Sequence, residues 1–438
     1  CVNKPKKYLW VGCVIAVKSG NCKGCLLLTP YINEGKNGTQ LARQLSKVDP
    51  TPFFGLKSHA GFITVKPNYN SNLFFWFFPA EDMGKKPWFI WLNGGPGYSS
   101  LCGVFMSTGP FYYENGTMHL RKTTWLSDYS GLYLDNPVGA GFSFTGNSKG
   151  YTTNIADVSD QMYEFLQQFL AMFPELRAAP LFIAGESYAG KYVPGLAMEV
   201  HLRPQSHINL KGISIGNGLI DAASIMHYSD LCRVIGILGE GELKVLEKLE
   251  RSVVDLIRQN KMLEASLRFN DTVEFIKRHS GVSVWDYRES ASHMADFENL
   301  FHNNSIRKAL HVGNATYNLN NQVVYEYMLP DIAAGVQPWF ETLLDHYGVL
   351  CYSGQMDIVL SYSLSKHFYK VLEWSGRDAY RAAPRTSIRL EPHGDVVGYS
   401  KSGGNFTEVL IRNAGHLVPQ DQPEVLKTVI DKFIQRYK

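Results

Sequence analysis

Ser187 stands in the run Leu181-Phe182-Ile183-Ala184-Gly185-Glu186-Ser187-Tyr188-Ala189-Gly190, where apolar residues give way to small ones. The pattern reads as strand, tight turn, helix. Such a turn projects a serine hydroxyl beyond the sheet edge, and the next residue, Tyr188, offers a backbone N–H to an oxyanion. Gly185 and Ala189, two positions either side of the serine, let the helix close on the strand. A serine hydroxyl is a weak nucleophile until a histidine removes its proton and a carboxylate orients that histidine. The chemistry implied is acyl transfer through a covalent intermediate.

Enzymes that carry the nucleophile on this turn order its partners as acid and then histidine. The apolar stretch 349–352 runs into Ser353-Gly354-Gln355-Met356-Asp357, which makes Asp357 the candidate acid. The stretch 409–411 leads into Arg412-Asn413-Ala414-Gly415-His416, which makes His416 the candidate base. His311, His346, His367 and His393 are rivals, but none follows a late strand through a glycine-containing turn. A second oxyanion donor needs a loop whose N–H groups meet substrate without side chains in the way. Asn93-Gly94-Gly95-Pro96-Gly97 is such a loop.

The surrounding elements must bring these loops together. Stretches 61–65 and 73–78 flank the turn-rich Lys66-Pro67-Asn68-Tyr69-Asn70 and read as a hairpin or meander. Stretches 88–92 and 131–134 read as buried strands ending in loops. Helical spacing of Met162, Phe165, Leu166 and Phe169 predicts a helix over 158–173, followed by a strand at 181–184, a helix from 189 and a strand at 211–215. This alternation predicts a mainly parallel sheet with helices on its faces. From 222 to about 302 the chain turns rich in Glu, Lys, Leu and Arg, with Leu243, Leu246, Leu249 and Val253 at helical intervals. That marks a helical insertion. After Pro338 the alternation resumes, with strands expected at 349–352, 387–390 and 409–411 and helices at 361–372 and 423–435. The fold expected is α/β, mainly parallel with helices on both faces: a signal-like segment at 1–24, a core in two parts at 25–221 and 336–438, and a mainly helical insertion at 222–335.

Composition narrows the function. The 438 residues are 45% hydrophobic and 19% charged, a globular balance. Forty-three basic residues against 40 acidic ones leave +3, without the basic cluster that nucleic acid or an anionic membrane would require. The apolar run 8–17 follows Lys4, Lys6 and Lys7; it is too short to cross a bilayer and has the shape of a secretory signal. Six N-x-S/T triplets, at Asn37, Asn115, Asn270, Asn303, Asn314 and Asn405, fit the same route as glycosylation candidates. Seven cysteines at irregular spacing define no disulfide framework. Cys22-Lys-Gly-Cys25 has redox spacing but no βαβ setting, and no second pair completes a zinc site. The aromatic content of 13% collects in the expected strands at 74–78 and 88–92, with Tyr98 and Tyr188 beside the candidate site.

Trp91-Leu92-Asn93-Gly94-Gly95-Pro96-Gly97-Tyr98-Ser99-Ser100, Asp135-Asn136-Pro137-Val138-Gly139-Ala140-Gly141-Phe142-Ser143, residues 185–190 and Ala414-Gly415-His416 together resemble the motif set of the serine carboxypeptidases. The likeness runs from about Tyr31 to the C-terminus. Thr29-Pro30-Tyr31-Ile32 and the stretch 71–78 look most like the vitellogenic carboxypeptidase-like branch. The resemblance implies an α/β-hydrolase core with the insertion at 222–335 as a helical lid, and removal of single residues from the C-termini of peptides or proteins at acidic pH, in lysosomal or secreted surroundings, with no metal and no cofactor. It carries the nucleophile onto Ser187, the acid onto Asp357, the base onto His416 and the oxyanion donors onto the N–H groups of Gly95 and Tyr188. The family's grip on the substrate carboxylate falls on Asn93, Gly94 and Glu186. Glu186 can hydrogen-bond a carboxylate only while one of the two holds a proton, which accounts for the acid optimum.

Two departures from the family pattern stand out. Its second carboxylate-binding glutamate is replaced by Ser107, which cannot share a proton in the same way. Tyr98 replaces a frequent cysteine, and 222–302 lacks paired cysteines, so the usual lid disulfides are not expected. Two further readings follow: the same machinery acting on esters or transferring the acyl group to an alcohol, and a binding or protective glycoprotein that keeps the fold without turnover.

Overall fold

The computed structural model describes residues 22–290 and 297–438. Most of the signal-like segment, including the apolar run 8–17, lies outside the described residues. Cys22 and Cys25, the pair with redox spacing, are joined in a disulfide, whereas Cys102, Cys232 and Cys351 are free and buried.

Twelve strands are present among the described residues: β1 (His59–Lys66), β2 (Ser71–Phe78), β3 (Trp88–Leu92), β4 (Phe111–Glu114), β5 (Thr117–Leu120), β6 (Ser130–Leu134), β7 (Leu181–Glu186), β8 (Leu210–Gly216), β9 (Gly348–Gly354), β10 (Arg385–Ile388), β11 (Gly398–Gly403) and β12 (Phe406–Ile411). Ten form one sheet in the order β1-β2-β6-β3-β7-β8-β9-β12-β11-β10, and β4 with β5 makes a separate hairpin. From β6 to β12 the neighbours are parallel. Both flanks are antiparallel, β1-β2-β6 on one side and β12-β11-β10 on the other. The parallel centre matches the alternation read from the sequence and has the architecture of an α/β-hydrolase. Within these flanks β1 and β2, and β11 and β12, are consecutive strands joined by short turns, whereas β6 reaches β2 only after β3 and the β4–β5 hairpin.

β2 shows how the sequence loads both faces. Successive side chains of a strand point to opposite sides, and Ser-Asn-Leu-Phe-Phe-Trp-Phe-Phe is apolar on each. Phe75 and Phe77 meet Phe169 of the helix Ile155–Met172 at 5.5 and 5.2 Å between ring centroids. Phe74, Trp76 and Phe78 fall in the other core layer, with the helix Leu101–Met106 and the closing helix Pro423–Tyr437. Much of the aromatic content is therefore sheet core on both faces.

Between β8 and β9 lie the helices Tyr228–Ile235, Glu240–Arg258, Met262–Ser280, Asn304–Ala309 and Gln322–Ile332, then Gln337–His346, which returns the chain to β9. Leu243, Leu246 and Val253, read as one helical stripe, are buried on a single helix. The strand expected at 387–390 is instead Arg385–Ile388.

Asp135, just past β6, organises the loop that carries the second oxyanion candidate. Its buried carboxylate accepts from Ser99 Oγ at 2.6 Å, Ser100 N at 2.8 Å and Phe142 N at 2.9 Å. Replacing it by Ala leaves buried donors without partners, each costing about 1–3 kcal/mol. Asp135→Ala is expected to lose at least about 3 kcal/mol of stability in urea unfolding; a loss below about 1 kcal/mol would show that water replaces the carboxylate.

Candidate active site

Parallel strands place their C-terminal ends on one edge of the sheet, and ligands collect in the crevice there. The loops after β3, β7, β8, β9 and β12 all meet at that edge. They surround a cavity of about 470 Å³ lined by Asn93, Gly94, Gly95, Glu186, Ser187, Tyr188 and His416, among others.

Ser187 sits between β7 and the helix Ala189–Leu202 with φ of +65°, in the left-handed region that a residue with a side chain rarely adopts. The turn is held on both sides, since Ser187 N donates to Gly216 O at 2.9 Å and Leu219 N donates to Ser187 O at 3.0 Å. Small residues are obligatory around it. A methyl group at Gly185 would lie 2.5 Å from Leu92 O and 2.7 Å from Ala189 Cβ, so the helix could not close on the strand.

His416 Nδ1 lies 2.7 Å from Asp357 Oδ2, with both side chains buried. Its Nε2 is buried without a partner and belongs to the group that lines the cavity with Ser187. A histidine bonded to a carboxylate through one nitrogen presents the other to a reacting group. Sequence reasoning missed two residues that fix this pair. Asn217, just past β8, donates to Asp357 Oδ2 at 2.6 Å and accepts from Gly354 N at 3.1 Å. Trp285 packs its ring 4.5 Å from that of His416, and its carbonyl accepts from His416 N at 2.8 Å. The same segment reaches the acid's loop, because Ile358 N and Val359 N both donate to Val284 O and Tyr287 N donates to Met356 O. A Gly-Asn-Gly following a strand is a turn signal that could have revealed Asn217; the place of Trp285 depends on a long-range crossing and left no local mark.

The loop after β3 approaches the serine turn backbone to backbone. A methyl group at Gly94 would run into Tyr188 N and lie 2.8 Å from Glu186 O and 2.9 Å from Ser187 Cβ. Next to this contact, Asn93 Nδ2 donates to Glu186 Oε1 at 2.8 Å, while Asn93 Oδ1 accepts from Trp91 Nε1 at 2.8 Å. Glu186 Oε2 is buried and unpartnered at the cavity. Burial pushes this carboxyl up to about 7, against the opposing influence of His416 and the Asn93 hydrogen bond. Glu186 is therefore largely protonated at acidic pH.

Ser107 also lines the cavity, buried, with Oγ unpartnered. Among the glycosylation candidates, Asn37, Asn115, Asn303 and Asn314 are exposed. Asn405 is half-buried and donates Nδ2 to Leu344 O at 3.1 Å. Asn270 lines the cavity and accepts from Tyr325 Oη at 2.9 Å. No group of three or more His, Cys, Asp or Glu side chains converges to hold a metal among the described residues. No helix among them is long and apolar enough to cross a membrane.

The family model described as serine carboxypeptidase matches residues 49–436. The chain belongs to that family. It is 37% identical over 425 residues to the venom serine carboxypeptidase of Apis mellifera, covering 93% of this chain and 90% of the relative. It is 37% identical over 430 residues to the human probable serine carboxypeptidase CPVL, covering 93% and 89%. The vitellogenic carboxypeptidase of Aedes aegypti is 34% identical over 449 residues, covering 99% and 94%. In fold, the prohormone-processing carboxypeptidase Kex1 of Saccharomyces cerevisiae superposes with a TM-score of 0.79 at 22% identity, over 90% of this chain and 96% of that one. The branch read from 29–32 and 71–78 is among these relatives.

The Gly94 contact leaves no room for a side chain. Gly94→Ala is expected to lower kcat/KM for an N-blocked dipeptide by at least about 100-fold, since pushing the loop at 93–97 off the Ser187 turn misplaces the groups that line the cavity. Retention of more than a tenth of wild-type kcat/KM would show that the two turns can separate harmlessly.

Proposed function

We propose that the enzyme releases single residues from peptide C-termini at acidic pH through an acyl-enzyme intermediate. Ser187 Oγ attacks the scissile carbonyl carbon as His416 Nε2 takes its proton. The resulting imidazolium is held by Asp357, and the oxyanion by the N–H groups of Gly95 and Tyr188. Collapse of the tetrahedral intermediate breaks the C–N bond, and His416 passes its proton to the departing amine. Water then attacks the Ser187 ester by the same route in reverse, freeing the shortened peptide.

The single observation that carries the reading is the unpartnered Glu186 Oε2 beside Ser187. An endopeptidase has no use for a buried, largely protonated carboxyl at its leaving-group side. A carboxypeptidase does, because the protonated acid donates a short charge-assisted hydrogen bond to the substrate's terminal carboxylate. Asn93 and the Gly94 N–H complete that grip. Ser107, which lines the same cavity, has a neutral hydroxyl and cannot share a proton as Glu186 can.

In this reading, 25–221 and 336–438 form the catalytic core and 222–335 covers the cleft as a lid, contributing Trp285 and Asn270 to its wall. The N-x-S/T triplets and the Cys22–Cys25 disulfide support a secretory route to the lysosome or the cell exterior. Glycans at Asn37, Asn115, Asn303 and Asn314 would clear the cleft, whereas one at Asn270 would obstruct it.

An N-blocked dipeptide incubated at about pH 5 is expected to yield free C-terminal amino acid, and an organophosphorus probe to label Ser187. Ser187→Ala should abolish both. Absence of release, or release that survives the substitution, would overturn the proposal.

A further inference from the structure

The helix that begins at Ala189 carries, one turn after the serine, a lysine with no exposed surface. Lys191 Nζ donates to Asp331 O, to Ile332 O at 3.0 Å and to Asp331 Oδ2 at 3.3 Å. These carbonyls end the helix Gln322–Ile332, where a cation meets the negative end of the helix dipole. Asp331 does more than pair with the lysine. Its Oδ2 also accepts from Tyr188 Oη at 2.5 Å, and its Oδ1 from Ile155 N at 2.9 Å. Lys191 Nζ sits 5.0 Å from the centroid of the Tyr188 ring. Asp331 thus joins the start of the helix Ile155–Met172, the helix Gln322–Ile332 and the residue directly after the nucleophile.

Burying two charges is expensive, and a buried ion pair is poor evidence of a contribution to stability. This one converges on Tyr188, whose peptide N–H is an oxyanion donor in the carboxypeptidase reading. A backbone N–H cannot be aimed independently of its own side chain's anchor. The hydroxyl is bound to Asp331 and the ring packs against Tyr192 at 5.1 Å between centroids, so the Tyr188 side chain is held at both its tip and its face. Ile332, next to Asp331, lines the cavity, so the same segment reaches both substrate and oxyanion donor.

We propose that Asp331 and Lys191 are positioning residues for the oxyanion site, acting through the Tyr188 side chain; the inference rests on the carboxypeptidase reading. The pair holds the Tyr188 N–H at the place where negative charge develops. Its removal therefore weakens transition-state binding and leaves ground-state binding of the terminal carboxylate, a separate subsite at Glu186, unchanged.

The test is a double-mutant cycle on Y188F and D331N in the full chain, with an N-blocked dipeptide as substrate. Y188F removes a single hydroxyl and is expected to lower kcat about tenfold with KM within twofold, because the lost interaction acts only in the transition state. In the Y188F background, D331N should lower kcat by less than threefold, since both changes cut one linkage. Pre-steady-state acylation by a p-nitrophenyl ester should slow in parallel. Y188F with wild-type kcat, a loss that falls on KM, or independent multiplying effects would overturn the proposal. Should D331N fail to fold, the kcat and KM of Y188F decide alone. Wild-type protein that releases no amino acid would overturn the carboxypeptidase reading itself, and this inference with it.

Discussion

The site depends on one backbone contact: the loop after β3 lies against the turn after β7 so closely that nothing larger than glycine fits at position 94. Adjacent parallel strands end side by side, and here their loops interlock at that shared edge. The contact sets the separation of Gly95 N–H and Tyr188 N–H. It also sets Asn93 against Glu186. Geometry that in open solvent would be one conformation among many is fixed before substrate arrives, and preorganisation of this kind is where much enzymatic stabilisation of developing charge originates.

Around that contact the remaining groups are held from several directions. Asp357 and His416 come from the loops after β9 and β12, and Asn217 locks the acid from β8. The segment 284–287 crosses both loops and ties them with four backbone hydrogen bonds, so the region between β8 and β9 is part of the frame of the cavity. On the far side, Asp331 reaches Tyr188. Glu186 has no cationic partner, and burial keeps it largely protonated at acidic pH, which suits it to recognise a carboxylate only there.

Much of this was legible in the sequence because the decisive signals are local. Glycine at 94 and 185, the serine turn and the glycine before His416 each mark a loop whose backbone demands small residues. The places of the central strands along the chain follow from their apolar runs. What escaped was either non-local or masked by another reading. Asp331 sits near the end of a helix and meets Lys191 from 140 residues away, and no periodicity announces that. The β4–β5 hairpin turns at Asn115-Gly116, a strong hairpin signal, yet the same residues also spell a glycosylation triplet and were read only as that. The short polar β11 lacks the alternation that marks a half-buried strand; it is placed by its pairing with β12.

If the Glu186 proton makes the enzyme a carboxypeptidase, it must show in the pH dependence of KM. Two matched substrates suffice, an N-blocked dipeptide and its C-terminal amide. A carboxyl raised to about 7 donates to the substrate carboxylate below that pH and repels it above. KM for the acid should therefore climb at least tenfold between pH 5 and 8, while KM for the amide, which carries no charge, stays within about threefold. Glu186→Gln should flatten the acid's profile. Equal KM profiles for acid and amide, or an unchanged profile in Glu186→Gln, would contradict the account.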